Sequence, residues 1–483
     1  MKPTEEQDAA LTLFLAGESM VIDALAGSGK TSTLRLLAAS TRRRGRYVAF
    51  NRALVDDASG TFSARCAVST IHSLAFRQVG TDYAHRLNSP RMKSWEAATR
   101  LGIDPLVVTV GDKEKRLAPG FLAGHVMRAV RAFCQSADPE PTRRHFPYLD
   151  GIDLPEGQGQ RGHANNWAVA AELEGALRKA WQDLSNKDGQ LQYGHHCYLK
   201  RWQLSQPRIE ADYVLLDEAQ DVSPVMAAII EAQQHAQRVM VGDAYQAIYG
   251  WAGAIDAMAN FDAENRRALT LSFRFGDEIA DVANQVLALL GAELHVRGNP
   301  AKMSTVGEMG DEEPYDALLC RTNATALTEV ITAQAAGMKV HLVGGGKQIA
   351  AFATAAKDLK AGSGTSYPEL ACFDNWMEVV RYVEEDPDGS DLALMVRLVE
   401  QFGVASILRA VDGTSPEEPG TLTVSTCHVS KGREWDVVRI AEDMVGREPT
   451  DEELRLRYVA FTRARVHLDE SAFRAGTAKQ AEA

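Results

Sequence analysis

A doubly wound α/β architecture built on two parallel sheets is predicted for this chain of 483 residues, and three observations predict it. Short aliphatic and β-branched runs alternate with helical stretches, as buried parallel strands joined by crossover helices do. The runs fall into two series: 21–25, 47–50, 68–70, 213–216 and 239–241, then 317–320, 340–343, 422–425 and 437–440. In the third observation, the first run breaks into Ala24-Leu25-Ala26-Gly27-Ser28-Gly29-Lys30-Thr31, a small-residue loop on a strand-to-helix corner.

That corner reads as a phosphate-binding loop. Backbone N–H groups of Ala26, Gly27, Ser28 and Gly29 can cradle an anionic phosphate, Lys30 can reach the β- and γ-phosphates, and the Thr31 hydroxyl can ligate Mg²⁺. Ser32 continues into a helix over 31–39, whose positive dipole end faces the same anion. One position departs from the general G-x-x-x-x-G-K-[ST] pattern: Ala24 stands where the first glycine would be.

The next catalytic element comes late. Tyr213-Val214-Leu215-Leu216 is an apolar strand that ends in Asp217-Glu218, 187 residues after Lys30. Asp217 can hold Mg²⁺, largely through its water shell, and Glu218 can polarise the water that attacks a γ-phosphate. Such a gap implies an inserted, mainly helical subdomain over 78–210, with helices around 122–135 and 167–184 and a Pro/Gly-rich loop over 139–162. A second insertion over 349–419 carries helical patterns at 376–384 and 392–411. The expected domains are therefore 1–77 with 211–265, the insertion 78–210, 266–348 with 420–483, and the short insertion 349–419.

Composition narrows the class. Hydrophobic residues make up 45% of the chain, enough for large packed cores, and no apolar stretch approaches a membrane span. The N-terminus has no apolar run like a signal peptide. Cysteines 66, 134, 197, 320, 372 and 427 form no Cys-x-x-Cys pair, so reduced thiols in the cytoplasm are expected rather than a zinc module. The His195-His196-Cys197 cluster lacks a second pair of ligands in the sequence. A net charge of −13 confines any nucleic-acid contact to a local, salt-sensitive groove.

Asp217-Glu218-Ala219-Gln220-Asp221 and Ser272-Phe273-Arg274-Phe275-Gly276 are more specific than the chemistry requires. With the motifs running from Gln7 to Arg463, they make the chain resemble the UvrD/Rep-type superfamily 1 helicases, most of all the F-box DNA helicase branch. Alanine at the first P-loop position is common in that family, and no F-box is expected in the short stretch before Ala24. The resemblance implies two RecA-like P-loop domains with parallel sheets, each carrying a mainly helical insertion. It also implies ATP and Mg²⁺ as cofactors, and single-stranded DNA and single-strand/duplex junctions as partners in DNA repair or replication.

Residue by residue, it implies that Gln7 reads adenine, Phe273 stacks on it, and Glu434 contacts the nucleotide. Gln246 would sense the γ-phosphate, with Arg274 as arginine finger and Arg463 as a second γ-phosphate ligand. DNA contacts are implied for Phe50, Asn51, Thr70, His72, Tyr249, Trp251, Thr426 and His428. Ala252 stands where the family usually has arginine. Without the resemblance, Tyr249 and Trp251 fit a core beneath a loop, and Arg274 an ordinary surface arginine. The expected function is an ATP-dependent translocase on single-stranded DNA and a 3′→5′ DNA helicase, the polarity coming from the family alone. Two alternatives stay open: a translocase that strips proteins from DNA with little unwinding, and an ATP-switched DNA-binding scaffold.

Overall fold

The computed structural model describes residues 2–49, 52–87, 89, 92–149, 152–153, 164–250, 257–261, 265–310, 313–344, 346–365, 367, 370, 373, 375–385, 391–444 and 450–473. The chain divides into two compact units, Met1–Ala24 with Lys30–Leu269, and Leu25–Gly29 with Thr270–Ala483. Each holds a six-stranded sheet, parallel throughout. No helix among the described residues is long and apolar enough to cross a membrane.

The strands of the first unit are β1 (Met20–Ala24), β2 (Gly45–Ala49), β3 (Cys66–Thr70), β4 (Leu106–Val110), β5 (Lys113–Leu117), β6 (Tyr213–Leu216), β7 (Gln237–Gly242) and β8 (Asn265–Leu269). The six-stranded sheet runs β3-β2-β6-β7-β1-β8, with Met20 registered against Val239 on one side and Asn265 on the other. Every residue of β6 and β7 is buried, because helices cover both faces. Val21, Val48, Val214, Leu216 and Met240 enter one core. Their neighbours Ile22, Tyr47, Leu215, Val239 and Val241 enter another, as the two-residue side-chain period requires.

The expected break at 265/266 moves to Leu269. Asn-Arg-Arg-Ala-Leu carries no aliphatic run, yet it pairs with β1 as an edge strand, and Arg266 lies 3.7 Å from the Asp23 carboxylate. An edge strand with one side open tolerates that charge.

The helical insertion has helices at Pro119–Gln135, Ala164–Ser185 and His195–Leu204 around a core that includes Leu122, Val126, Phe133, Leu173 and Leu177. It also holds an antiparallel hairpin, β4–β5, which the helical reading missed. Gly111, at φ 61, supplies the left-handed turn residue that a two-residue hairpin needs.

In the second unit the strands are β9 (Thr305–Val306), β10 (Ala317–Cys320), β11 (Val340–Leu342), β12 (Leu422–Thr426), β13 (Trp435–Ile440) and β14 (Ala464–Asp469), ordered β11-β12-β10-β13-β14-β9. The second insertion folds as helices Trp376–Glu385, Asp391–Phe402 and Val404–Asp412, after Lys347–Lys360. The single pattern expected over 392–411 splits at Gly403, whose φ of 72 breaks the helix. Phe352, Trp376 and Val399 share one core with Leu318, Val340 and Val424 of the sheet.

Candidate functional site

Parallel pairing aligns the carboxyl ends of β1, β7 and β6 on one edge, where ligands bind in open α/β sheets. After β1 the chain turns through Leu25–Gly29 into the helix Lys30–Ala39. Gly27 and Gly29 take φ of 72 and 79, a region that L side chains enter at a cost. Lys30 Nζ lies 3.5 Å from the Ala24 carbonyl oxygen, and Ser32 is exposed in the first helical turn.

The acidic group lies at the ends of β6 and β7. Asp217 is fully buried, and its Oδ2 accepts from the Thr31 hydroxyl at 3.0 Å and the Tyr47 hydroxyl at 2.7 Å. Burial first, and then the Glu218 charge, push its carboxyl up to about 6. Glu218 itself sits in the left-handed region at φ 51, ψ 47, a conformation that costs a non-glycine residue about 1–2 kcal/mol. The Gln220 side-chain amide donates to Glu218 Oε2 at 2.5 Å, and its Oε1 accepts from the Asp243 backbone N–H at 3.0 Å. A Cβ on Gly242 would fall 2.3 Å from Gln220 Oε1, so glycine there gives the amide its place. Gln246, almost fully buried, donates to Asp243 Oδ2 at 2.6 Å.

The sequence reading missed Tyr47, Gln220 and Asp243. Each is polar and within reach of a residue already singled out; Gln220 and Asp243 follow strand ends, while Tyr47 lies in the middle of β2. That position beside the acidic pair was the available signal for Gln220.

Within the second unit, the Arg274 Nε donates to Glu434 Oε2 at 2.7 Å and its Nη1 to the Thr462 carbonyl at 2.7 Å. Burial works to raise the Glu434 pKa, but the charges of Arg274, Arg465 and Arg463 overcome it and hold the carboxyl below its usual range. Arg463 is buried, and it donates to the carbonyls of Val459 at 2.8 Å and Arg433 at 3.3 Å. The Phe273 backbone N–H donates to the Gly27 carbonyl at 2.7 Å, and the Ala26 N–H donates to the Tyr458 hydroxyl at 3.0 Å.

A nucleotide fits the loop. Ser28 Oγ is buried without a hydrogen-bond partner among the described residues, an orphan that a phosphate oxygen can satisfy. A Cβ on Gly27 would strike Ser272 Oγ at 2.5 Å and Arg274 Cβ at 2.8 Å. Two neighbouring carboxylates, one pushed toward protonation, fit a divalent cation held by Thr31 and Asp217.

The remaining expected residues scatter. Gln7 belongs to an N-terminal capping box: its Oε1 accepts from the Thr4 N–H at 3.1 Å, and its Nε2 donates to Thr33 Oγ1 at 3.1 Å. Thr70 caps the helix Ile71–Gln78 by accepting from the Ser73 N–H at 3.0 Å. His72 is half-buried, its ring 6.0 Å from that of Tyr198, and burial with the nearby His195 and His196 pushes its pKa down to about 4. Burial, with Asp221 and Glu218 nearby, pushes the Tyr249 hydroxyl up to about 12. Thr426 is buried, while His428 is half-exposed on the turn after β12. Phe50, Asn51 and Trp251 lie outside the described residues.

A P-loop at the end of one parallel sheet, an acidic pair two strands away, and a second parallel sheet bearing paired arginines define a two-domain P-loop nucleotide-binding protein. A family model described as an AAA domain matches residues 7–252, just over half the chain. A second model, UvrD-like helicase C-terminal domain, matches residues 421–468. The chain belongs to the UvrD-like superfamily 1 helicase family, with two RecA-like domains that each carry a mainly helical insertion.

Among curated proteins, it is 27% identical over 505 aligned positions to F-box DNA helicase protein 1 of Schizosaccharomyces pombe, covering 94% of this chain and 55% of that one. F-box DNA helicase 1 of Gallus gallus is 27% identical over 519 positions, covering 96% and 48%. ATP-dependent DNA helicase UvrD2 of Mycobacterium tuberculosis is 25% identical over 325 positions, covering 53% and 46%. The chain spans about half the length of these relatives.

Proposed function

We propose that this protein is an ATP-dependent translocase on single-stranded DNA and a 3′→5′ DNA helicase. Its four parts would be the two RecA-like domains, 1–77 with 211–269 and 270–348 with 420–483, and the insertions 78–210 and 349–419. The observation that carries the reading is Glu218, held in a left-handed conformation beside Asp217 by the Gln220 amide. A residue kept in such a conformation needs its surroundings to over-determine it, and such residues cluster at working sites.

In this reading, backbone N–H groups of Ala26 to Gly29 and the Lys30 ammonium bind the phosphates of ATP, and Gln7, Phe273 and Glu434 bind the rest of the nucleotide. Ser32 supports the phosphate end of the loop from the first helical turn. Thr31 and Asp217 hold Mg²⁺, which when bound neutralises charge on the phosphate oxygens. Glu218 orients the attacking water and takes its proton, and Gln246 reports the γ-phosphate to the DNA-facing loops. Arg274 and Arg463 supply positive charge to the transferring phosphoryl group once they exchange Glu434 and the carbonyls for it. Because lysine and glutamate come from one domain and the arginines from the other, hydrolysis depends on closure, and alternating grip on DNA follows. Phe50, Asn51, Thr70, His72, Tyr249, Trp251, Thr426 and His428 would line the strand's path, the aromatics stacking on bases.

A second reading, a translocase that strips proteins from DNA with little unwinding, draws support from the second insertion. Its helices share the core of the second sheet, so the insertion is spent largely on packing, whereas duplex is gripped through its phosphates by exposed basic and polar groups.

The test is ATP hydrolysis with and without single-stranded DNA, beside displacement assays on duplexes with 3′ or 5′ tails. DNA should raise hydrolysis steeply, and only the 3′-tailed duplex should be unwound. DNA-stimulated hydrolysis without displacement selects the stripping translocase. Tight DNA binding with negligible turnover selects the ATP-switched scaffold.

A further inference from the structure

The sequence offers His195-His196-Cys197 no second ligand pair, but the fold brings one more thiol to it. Cys134, near the end of Pro119–Gln135, meets the first turn of His195–Leu204, so that one donor atom each from Cys134, His196 and Cys197 lies within 4.8 Å of the others. We propose that Cys134, His196 and Cys197 form a binding site for a thiophilic divalent cation, Zn²⁺ above all, which pins these two helices of the first insertion together.

The donor set is right for that class of metal: two thiolates and a neutral imidazole carry the charge and softness that zinc favours. Tetrahedral zinc, with bonds of about 2.3 Å to sulfur and 2.0 Å to nitrogen, needs its donors about 3.5–3.8 Å apart. The observed donor separations, 4.8 Å at most, lie within about 1 Å of that. Both thiols are fully buried, while His196 is half-exposed and gives the cation an entry.

Both sulfurs coordinate as thiolates, so binding must release their protons to solvent.

Gly194 is the observation that separates a metal site from a simple pair of thiols. A Cβ there would sit 2.4 Å from His196 Cε1 and 2.8 Å from its Nδ1. The missing side chain lets the imidazole lie against the backbone beside the sulfurs. A disulfide between Cys134 and Cys197 would need neither the imidazole nor that space. The site also lies beside a DNA-facing candidate, since Tyr198 of the same helix packs on His72 and Phe76.

Co²⁺ titration of the reduced full-length protein, stripped of metal, tests the proposal. One Co²⁺ per chain should bind, with a thiolate-to-cobalt charge-transfer band and strong visible d–d bands, and Zn²⁺ should displace it. Cys134→Ser and Cys197→Ser should each lose most of the charge-transfer intensity. His196→Gln and Gly194→Ala should each weaken binding at least about tenfold, and circular dichroism checks that every variant is folded. Zn²⁺ should raise the melting temperature of the native chain but not of the Cys134→Ser/Cys197→Ser double variant. Absence of the band in the native chain, or its survival in the folded double variant, overturns the proposal. So does a spontaneous Cys134–Cys197 disulfide in a chain that binds no Co²⁺ once reduced.

Discussion

The carboxyl edge of the first sheet, where Asp217, Glu218 and Asp243 follow their strands, and the amino edge of the second, where Glu434 and Arg463 precede theirs, carry opposite electrostatic situations. On the first, negative groups crowd together under burial: Asp217 is pushed up to about 6, Asp243 is raised, and Glu218 is held in a costly backbone conformation. On the second, the charges are already matched, Arg274 by Glu434 and Arg463 by carbonyl oxygens. The first edge is organised around ligands that bring positive charge and phosphate. The second is complete without them, so its arginines must exchange one partner for another when they act. That difference teaches which part of the machinery is preset and which part can switch.

Predictions on the first edge carry the largest effects. Lys30→Ala and Glu218→Gln should each reduce DNA-stimulated kcat by about a thousandfold or more, measured as steady-state phosphate release. They should differ in binding: Lys30→Ala weakens ATP affinity, and Glu218→Gln leaves it nearly unchanged. If Glu218→Gln keeps more than a tenth of the native rate, the preset edge has been assigned to the wrong residue.

Arg274→Ala probes the switchable edge. A loss in kcat of about a thousandfold is expected by analogy with other arginine fingers, with ATP binding, read by a fluorescent nucleotide, reduced far less. An equal loss of binding and turnover would make Arg274 a ground-state ligand and erase the contrast between the edges. Gln220→Ala is smaller. It removes the bond to Glu218 and the acceptor for the Asp243 N–H, and should cost about ten- to a hundredfold in kcat with KM for ATP unchanged. Gln220→Glu, which keeps the shape but adds charge beside Glu218, should be worse than Gln220→Ala. The reverse order would mean that packing, not orientation of Glu218, is what Gln220 supplies.

How much of this was legible in the sequence depended on whether a residue acts through its neighbours in the chain or across the sheet. The central strands announced themselves because both faces are buried, so β6 and β7 read as unbroken apolar runs. β8 and β14 did not, because edge or half-covered positions admit Arg266, Arg267, Arg465 and His467. The P-loop and the Asp217-Glu218 pair were legible because their chemistry is contiguous. Tyr47 bonds to a residue 170 positions away and Gln220 to one 23 away, and only strand order makes them neighbours. The same holds for Cys134, whose approach to His196 and Cys197 no spacing rule announces. Thr70 and Gln7 teach the converse, since their side chains cap helices, an ordinary local role invisible in a motif.

The smallest prediction bears on whether the second edge is truly matched at rest. Glu434 has its carboxyl held below the usual range, so its pairing with Arg274 stabilises the folded state above the unfolded value near 4.5 and is lost as pH falls through the lower folded value. The Glu434 side chain is 42% exposed, and solvent screening limits the effect to about 1 kcal/mol or less. Glu434→Gln should therefore melt slightly below the native chain at pH 7, and the gap should close as the pH falls below about 4.5. Added salt at pH 7 should narrow it in the same direction. A gap that stays constant across both titrations would mean that Glu434 stabilises by hydrogen bonding alone, and that charge pairing with Arg274 does not hold the second edge at rest.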